Sequence, residues 1–212
     1  MTEGTDFLYP FIEGGEQDAA GLLADLATSA AAKGAISAHL QAVTLADRDA
    51  VMTTLAQAMA QRFSAGGRLF VFGNGGSATD AAGIVALFRT PPWGRALRAR
   101  SLVADHAVLT ALGNDVGFEL VFSRQLIAYA QEGDMALGLS TSGNSTNLLS
   151  AFAEARRRGL LTLGLAGSDG GQMAASSDVE HCLVVPSSSV HRIQETQTAM
   201  AFELWSRVQS LV

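Results

Sequence analysis

Arg68-Leu-Phe-Val-Phe-Gly-Asn-Gly-Gly-Ser77 is a short apolar run that ends in a polar, glycine-rich turn, and the alanine-rich segment 78–87 follows at once. Read physically, that order is a buried strand, a tight turn and the first turns of a helix. Gly73, Gly75 and Gly76 let the main chain approach a ligand with no Cβ in the way. Unpaired N–H groups at a helix start, with Asn74 and the Ser77 hydroxyl beside them, suit an anionic or hydroxyl-rich ligand. Such turns are common in α/β proteins and often only shape the backbone, so a second one is needed to decide.

Met135-Ala-Leu-Gly-Leu-Ser-Thr-Ser-Gly-Asn-Ser145 is that second turn. A short apolar strand again runs into a polar turn, and a helix is expected over 148–158. Hydroxyls stand at Ser140, Thr141, Ser142 and Ser145, and they can wrap a phosphate while helix-start N–H groups supply further donors. Ser, Thr and Asn are also ordinary N-caps. One such residue makes a cap; five in six positions favour a phosphate site.

Outward from these turns, strands are expected at about 69–72, 98–103, 135–139, 161–166 and 182–185. Helices are expected at about 77–88, 117–131, 146–158 and 191–211. Alternation with short apolar strands predicts an α/β fold with a parallel sheet and helices on both faces. Ligands in such sheets sit beyond the carboxyl ends of the strands, where both polar turns fall. Ahead of the first strand, 17–43 and 47–63 read as helices, with Asp47 as an N-cap and Gly66-Gly67 as the stop. Residues 1–16 are mixed, and Phe7-Leu-Tyr-Pro-Phe-Ile12 is apolar enough to pack on a neighbour. The expected division is a tail and helical arm over 1–35 and one domain over 36–212.

Composition narrows the function classes. The chain has 212 residues, 48% hydrophobic and 16% charged, enough for a sizeable core and subunit contacts. Its net charge is −6 with a pI of about 5.1, and Lys33 is the one lysine, so no basic stripe suggests direct nucleic-acid binding. The single Cys182 allows no internal disulfide and no cysteine metal pair. No signal peptide and no bilayer-spanning apolar run is visible. The expectation is a cytoplasmic protein with no membrane partner.

Five motifs carry a resemblance. Gly73-Asn-Gly-Gly-Ser77, Gly113-Asn-Asp-Val-Gly-Phe118, Ser140-Thr-Ser-Gly-Asn-Ser145, Gly167-Ser-Asp-Gly-Gly171 and Arg192-Ile-Gln-Glu195 occur in order across most of the chain. Together they resemble sugar isomerase (SIS) domain proteins of the phosphoheptose isomerase and initiator-associating group. The resemblance implies a five-stranded parallel sheet sandwiched by helices (SIS, flavodoxin-like), an N-terminal helical arm and a homotetramer. It also implies a phosphorylated-sugar site formed by Asn74, Gly75, Gly76, Ser77, Asn114, Asp115, Ser140, Thr141, Ser142, Ser145 and Gln194.

The departures bear on activity. The isomerases that this chain resembles carry a histidine and a glutamate on the helix after the first turn, and a second histidine eight residues after the glutamine of Arg-Ile-Gln-Glu. These residues bind zinc with that glutamine and move protons. The matching positions here are Gly83, Leu87 and Phe202, and only Gln194 remains. No metal or other cofactor is therefore expected. Aldose–ketose isomerisation needs a base within reach of a C–H and an acid for the oxygens. His191 and Glu195 share one helix face at i and i+4 and are the candidate replacements, with Asp80 and Asp115 near the glycine turns. His191 and Glu195 also read well as plain helix-start residues. His39, His106 and His181 read as structural or exposed, Arg156-Arg-Arg158 as a solvated helix end, and Phe202 with Trp205 as part of the last helix's apolar stripe.

Two functions remain open on the sequence. The first is a sugar-phosphate-binding homo-oligomer that senses a ligand or binds a protein partner without turnover. The alternative is an isomerase of sedoheptulose 7-phosphate or a related phosphosugar that uses a metal-free histidine/carboxylate pair.

Overall fold

The computed structural model describes residues 19–212, so the expectations for 1–16 and for the start of the first helix lie outside the described residues. Two units part between His39 and Leu40. The described part of the first is helical, with Leu22, Leu23, Leu26 and Ile36 on its surface. The boundary expected at 35/36 falls inside α1 (Ala19–Asp47).

The second unit continues from the last turns of α1 into α2 (Asp49–Ser64), β1 (Leu69–Gly73), α3 (Gly76–Arg89), β2 (Ala99–Ser101) and α4 (His106–Asp115). A 3₁₀ turn (Phe118–Leu120), α5 (Val121–Tyr129), β3 (Met135–Ser140), α6 (Thr146–Arg157) and β4 (Leu161–Gly167) follow. The chain closes with α7 (Gly171–Ala175), β5 (His181–Val185) and α8 (Val190–Gln209). All five strands are parallel, in the order β2-β1-β3-β4-β5. Every residue of β1, β3 and β4 is buried, which is why these strands read as unbroken apolar runs and not as alternating ones.

Helices cover both faces. On one, α3 and α8 pack together and α2 lies against α8; on the other, α5 and α6 pair. In α2, Met52, Leu55, Ala56, Met59 and Phe63 recur at three- and four-residue steps and are buried. Each large apolar side chain so buried contributes about 1.5–3 kcal/mol. Phe72 of β1 lies 5.3 Å from Phe122 and 5.4 Å from Phe152 between ring centroids, tying the sheet to α5 and α6. Arg68 closes the opposite, amino-terminal end of the sheet. Its guanidinium meets buried Asp134 at 2.7 Å, and the same carboxylate accepts from the Arg68 and Gln131 backbone N–H groups.

Several expectations need correction. Asp47 does not cap a separate helix: it ends α1, and Arg48 is the N-cap of α2. α4 was not anticipated, although Asp105 caps it by accepting from Val108 N at 3.0 Å. The helix expected at 117–131 is a 3₁₀ turn followed by α5, and Gly117, at φ 105°, is the N-cap of that turn and not a helical residue. β2 is three residues long, not six. The arginine run does stand at a solvated helix end, with Arg156 and Arg157 exposed; Arg157 and Arg158 both bind Glu154, and Arg156 meets Glu180 at 3.0 Å. Phe202 is 50% exposed and packs at a tilt on buried Trp205, 5.2 Å between ring centroids, so only the tryptophan belongs to the core stripe.

Candidate active site

The strand order reverses between β1 and β3: from β1 the chain first adds β2 on one side and then β3 on the other. A crevice opens beyond the carboxyl ends of neighbouring strands at such a reversal. Gly73 ends β1 and Ser140 ends β3, so both polar turns face it. Asn74 and Asn147 span the crevice with a reciprocal pair of amide hydrogen bonds, each 2.9 Å. Asn147 was not among the sequence candidates.

The turn after β3 is built from its own side chains. Buried Ser140 points inward, its Oγ accepting from Gly143 N at 3.1 Å and lying 3.2 Å from Ser145 Oγ. Its hydroxyl therefore shapes the loop, leaving Thr141, Ser142 and Ser145 nearer the surface. Ser145 is the N-cap of α6 but makes no side-chain capping bond. The first N–H groups of α6 thus remain available, and a helix start favours anions. Gly143, at φ 67°, packs against Gly170, and Asn144 Oδ1 accepts from Gln172 N at 3.0 Å. The Ser-Thr-Ser-Gly-Asn-Ser and Gly-Ser-Asp-Gly-Gly loops are thereby locked together.

α8 reaches the same region from behind. Buried Gln197 donates through Nε2 to Leu165 O at 3.0 Å and Ser140 O at 3.4 Å, pinning the helix to the ends of β4 and β3. Gln194 lies directly over Gly76, where any Cβ would collide with its amide.

Gln194, His191 and Glu195 then converge with Gln41, Asp80 and Thr198 on one cleft of about 470 Å³. Asp80 is half-buried, and its Oδ2 is closed off from solvent with no hydrogen-bond partner. Desolvation by burial raises its pKa above the ordinary 3.8. His191 and Glu195 are exposed at the mouth. Gln41, Asn147, Gln197 and Thr198 escaped the sequence reading because nothing in the local pattern shows which helix faces another. Asn114 and Asp115 are not brought to the cleft: both are exposed at the end of α4, where Asn114 Nδ2 donates to Asp115 Oδ1 at 2.7 Å.

Asp80 carries a testable consequence. With its folded pKa raised, the ionised carboxylate opposes folding above that pKa, and the cost disappears below the ordinary 3.8. Asp80→Asn is expected to melt above the parent chain at pH 7, the gap closing as the pH falls towards 3.8. Scanning calorimetry at both ends checks this, and equal melting throughout would mean the carboxylate is not desolvated.

Gly83 and Leu87 lie on the Asp80 stripe of α3 at three- and seven-residue steps. A Cβ at Gly83 would meet open space, and Leu87 packs against the core. Among the described residues, no group of three or more His, Cys, Asp or Glu is arranged to hold a metal ion.

A parallel five-stranded sheet with a serine-rich turn and a glycine-rich turn at its switch point defines the class. The model of the SIS domain matches residues 34–167, and the chain belongs to the SIS-domain family, on its phosphoheptose-isomerase-like side. Phosphoheptose isomerase of Pelobacter propionicus is 49% identical over 153 residues, 70% of this chain and 79% of that protein. The structure of phosphoheptose isomerase from Neisseria gonorrhoeae superposes with a TM-score of 0.81 at 34% identity, covering 87% of this chain and 99% of the other. That of the Francisella tularensis phosphoheptose isomerase gives 0.80 at 29% identity, covering 86% and 97%. Among the described residues no helix is long and apolar enough to cross a membrane.

Proposed function

We propose that the chain is a phosphosugar isomerase of the phosphoheptose type, interconverting sedoheptulose 7-phosphate and its aldose, with proton transfer carried by Asp80, His191 and Glu195. The convergence of these three groups beside Gln194, with the Asp80 carboxyl desolvated, is the observation that supports it. The phosphate is taken by Ser142, Ser145, Thr141 and the start of α6; the likeness to phosphoheptose isomerases supports the substrate class. Asn74 and the backbone at Gly75, Gly76 and Ser77 border the sugar, while Asn114 and Asp115 would serve a neighbouring subunit. Gly83, Leu87 and Phe202 do not fit a zinc ion, which takes histidine, cysteine or carboxylate, so no step here runs through one.

The chemistry balances within the sugar. A base on α8, His191 with Glu195 one turn away, removes a proton from C1 of the ketose. Asp80, protonated more readily than an ordinary carboxyl, gives a proton to the C2 carbonyl oxygen, and an enediol forms. The O1 proton then returns to the carboxylate and the base delivers its proton to C2, giving the aldose with no net redox change. The exposed leucines of the first unit support a homo-oligomer, and the composition supports a cytoplasmic one.

A second reading stays open on one observation: Gly83, Leu87 and Phe202 are also what a non-catalytic sensor or partner-binding scaffold would tolerate. Proton exchange into sedoheptulose 7-phosphate in deuterated buffer, followed by NMR with and without zinc, separates the two. Exchange beside the carbonyl without added metal is expected; line broadening without exchange would leave the sensor, and exchange only with zinc would reject the metal-free scheme. Ser142→Ala with Ser145→Ala is expected to abolish binding of the sugar phosphate, and unchanged affinity would remove the phosphate assignment.

A further inference from the structure

The exposed edge of the sheet carries a second cleft. β2 is an edge strand, and the residues flanking it also bond β1: Arg98 O accepts from Leu69 N, and Leu102 N donates to Val71 O. Beside it is a cleft of about 630 Å³ with Phe70 in its floor and Arg68, Arg89, Arg98, Arg100, Asp105 and Gln125 around it. The chain as a whole has 14 cationic residues against 20 acidic ones, yet this cleft gathers four guanidiniums and one carboxylate.

The arginines differ in what they already do. Arg68 is neutralised by Asp134. Asp105 is engaged as the cap of α4. Among the described residues, Arg89, Arg98 and Arg100 have no carboxylate within ion-pair distance. Arg98 Nη1 donates to Gly66 O at 3.0 Å, and Arg100 lies over the Tyr129 ring at 3.6 Å. Both contacts hold a guanidinium in place while leaving most of its N–H donors unused. Charged residues on a short edge strand also protect it against pairing with another chain. That accounts for Arg98 and Arg100, and the Asp134 pair accounts for Arg68, but neither accounts for their meeting Arg89 of α3 around one concave site.

We propose that this cleft binds a small anion carrying two or more phosphoryl groups, at a site separate from the sugar crevice. Arg89, Arg98 and Arg100 outnumber Asp105, the one carboxylate lining the cleft, and their forked donors match phosphoryl oxygens. The volume falls within the ordinary range for small-molecule sites.

Calorimetric titration of the full chain with inorganic pyrophosphate at low salt tests this. One site per chain is expected, weakening as salt rises. Arg98→Gln with Arg100→Gln should weaken it about tenfold or more, and Arg89→Gln, at an exposed helix end, should act in the same direction. Ser142→Ala with Ser145→Ala should leave it unchanged. Absence of saturable binding, or binding untouched by both arginine variants, overturns the proposal. So does loss of binding in the serine variant, which would mean that pyrophosphate occupies the sugar crevice.

Discussion

Gly143→Ala is expected to lower the melting temperature by roughly 6–12 °C, from a loss of about 3 kcal/mol or more. Two effects add. Gly143 sits at φ 67°, a conformation that disfavours side chains, and an added Cβ would overlap the Gly170 carbonyl oxygen. That neighbour is backbone and cannot swing aside. The same turn donates Gly143 N to Ser140 Oγ, and Gly143 O accepts from Met173 N at 2.9 Å, so relieving the clash would break bonds on both sides. The displaced turn carries Ser142 and Ser145, so affinity for a sugar phosphate should fall with stability. Thermal melting and ligand titration on one sample check both; a variant that melts with the parent would mean the two loops are not locked together.

Gly143 also shows what the sequence carries and what it withholds. A glycine amid hydroxyl residues after an apolar strand is legible as a tight turn, and the two strand-turn-helix units are enough to predict the parallel sheet. The collision with Gly170 is not legible, because it joins loops from different strands. The same division separates Gln194 from Asp80. Gln194 is found through a motif, whereas the solvent-shielded Asp80 carboxylate depends on how α3 packs on α8 and the end of α1. α4 escaped because its apolar residues are only half-buried, so its periodic signal is weak even though Asp105 marks its start. Phe202 departs for the converse reason: an apolar residue at helical spacing reads as core, and here its ring leans at a tilt on Trp205 from outside.

His191→Ala combined with Glu195→Gln is expected to slow deuterium exchange into sedoheptulose 7-phosphate by about 10²–10⁴-fold, the range a positioned acid–base group contributes. Binding should persist, since the groups assigned to the phosphate lie on the β3 turn and not on α8. The pH profile should divide the roles further. If Asp80 donates from its protonated form, exchange falls as the pH rises through its raised pKa, and Asp80→Asn removes that limb. A double variant that exchanges at the parent rate would detach catalysis from α8. If exchange were absent in the parent as well, with binding intact, the cleft would be a ligand sensor: the Asp80 carboxyl would still be desolvated, but with no carbon acid to serve.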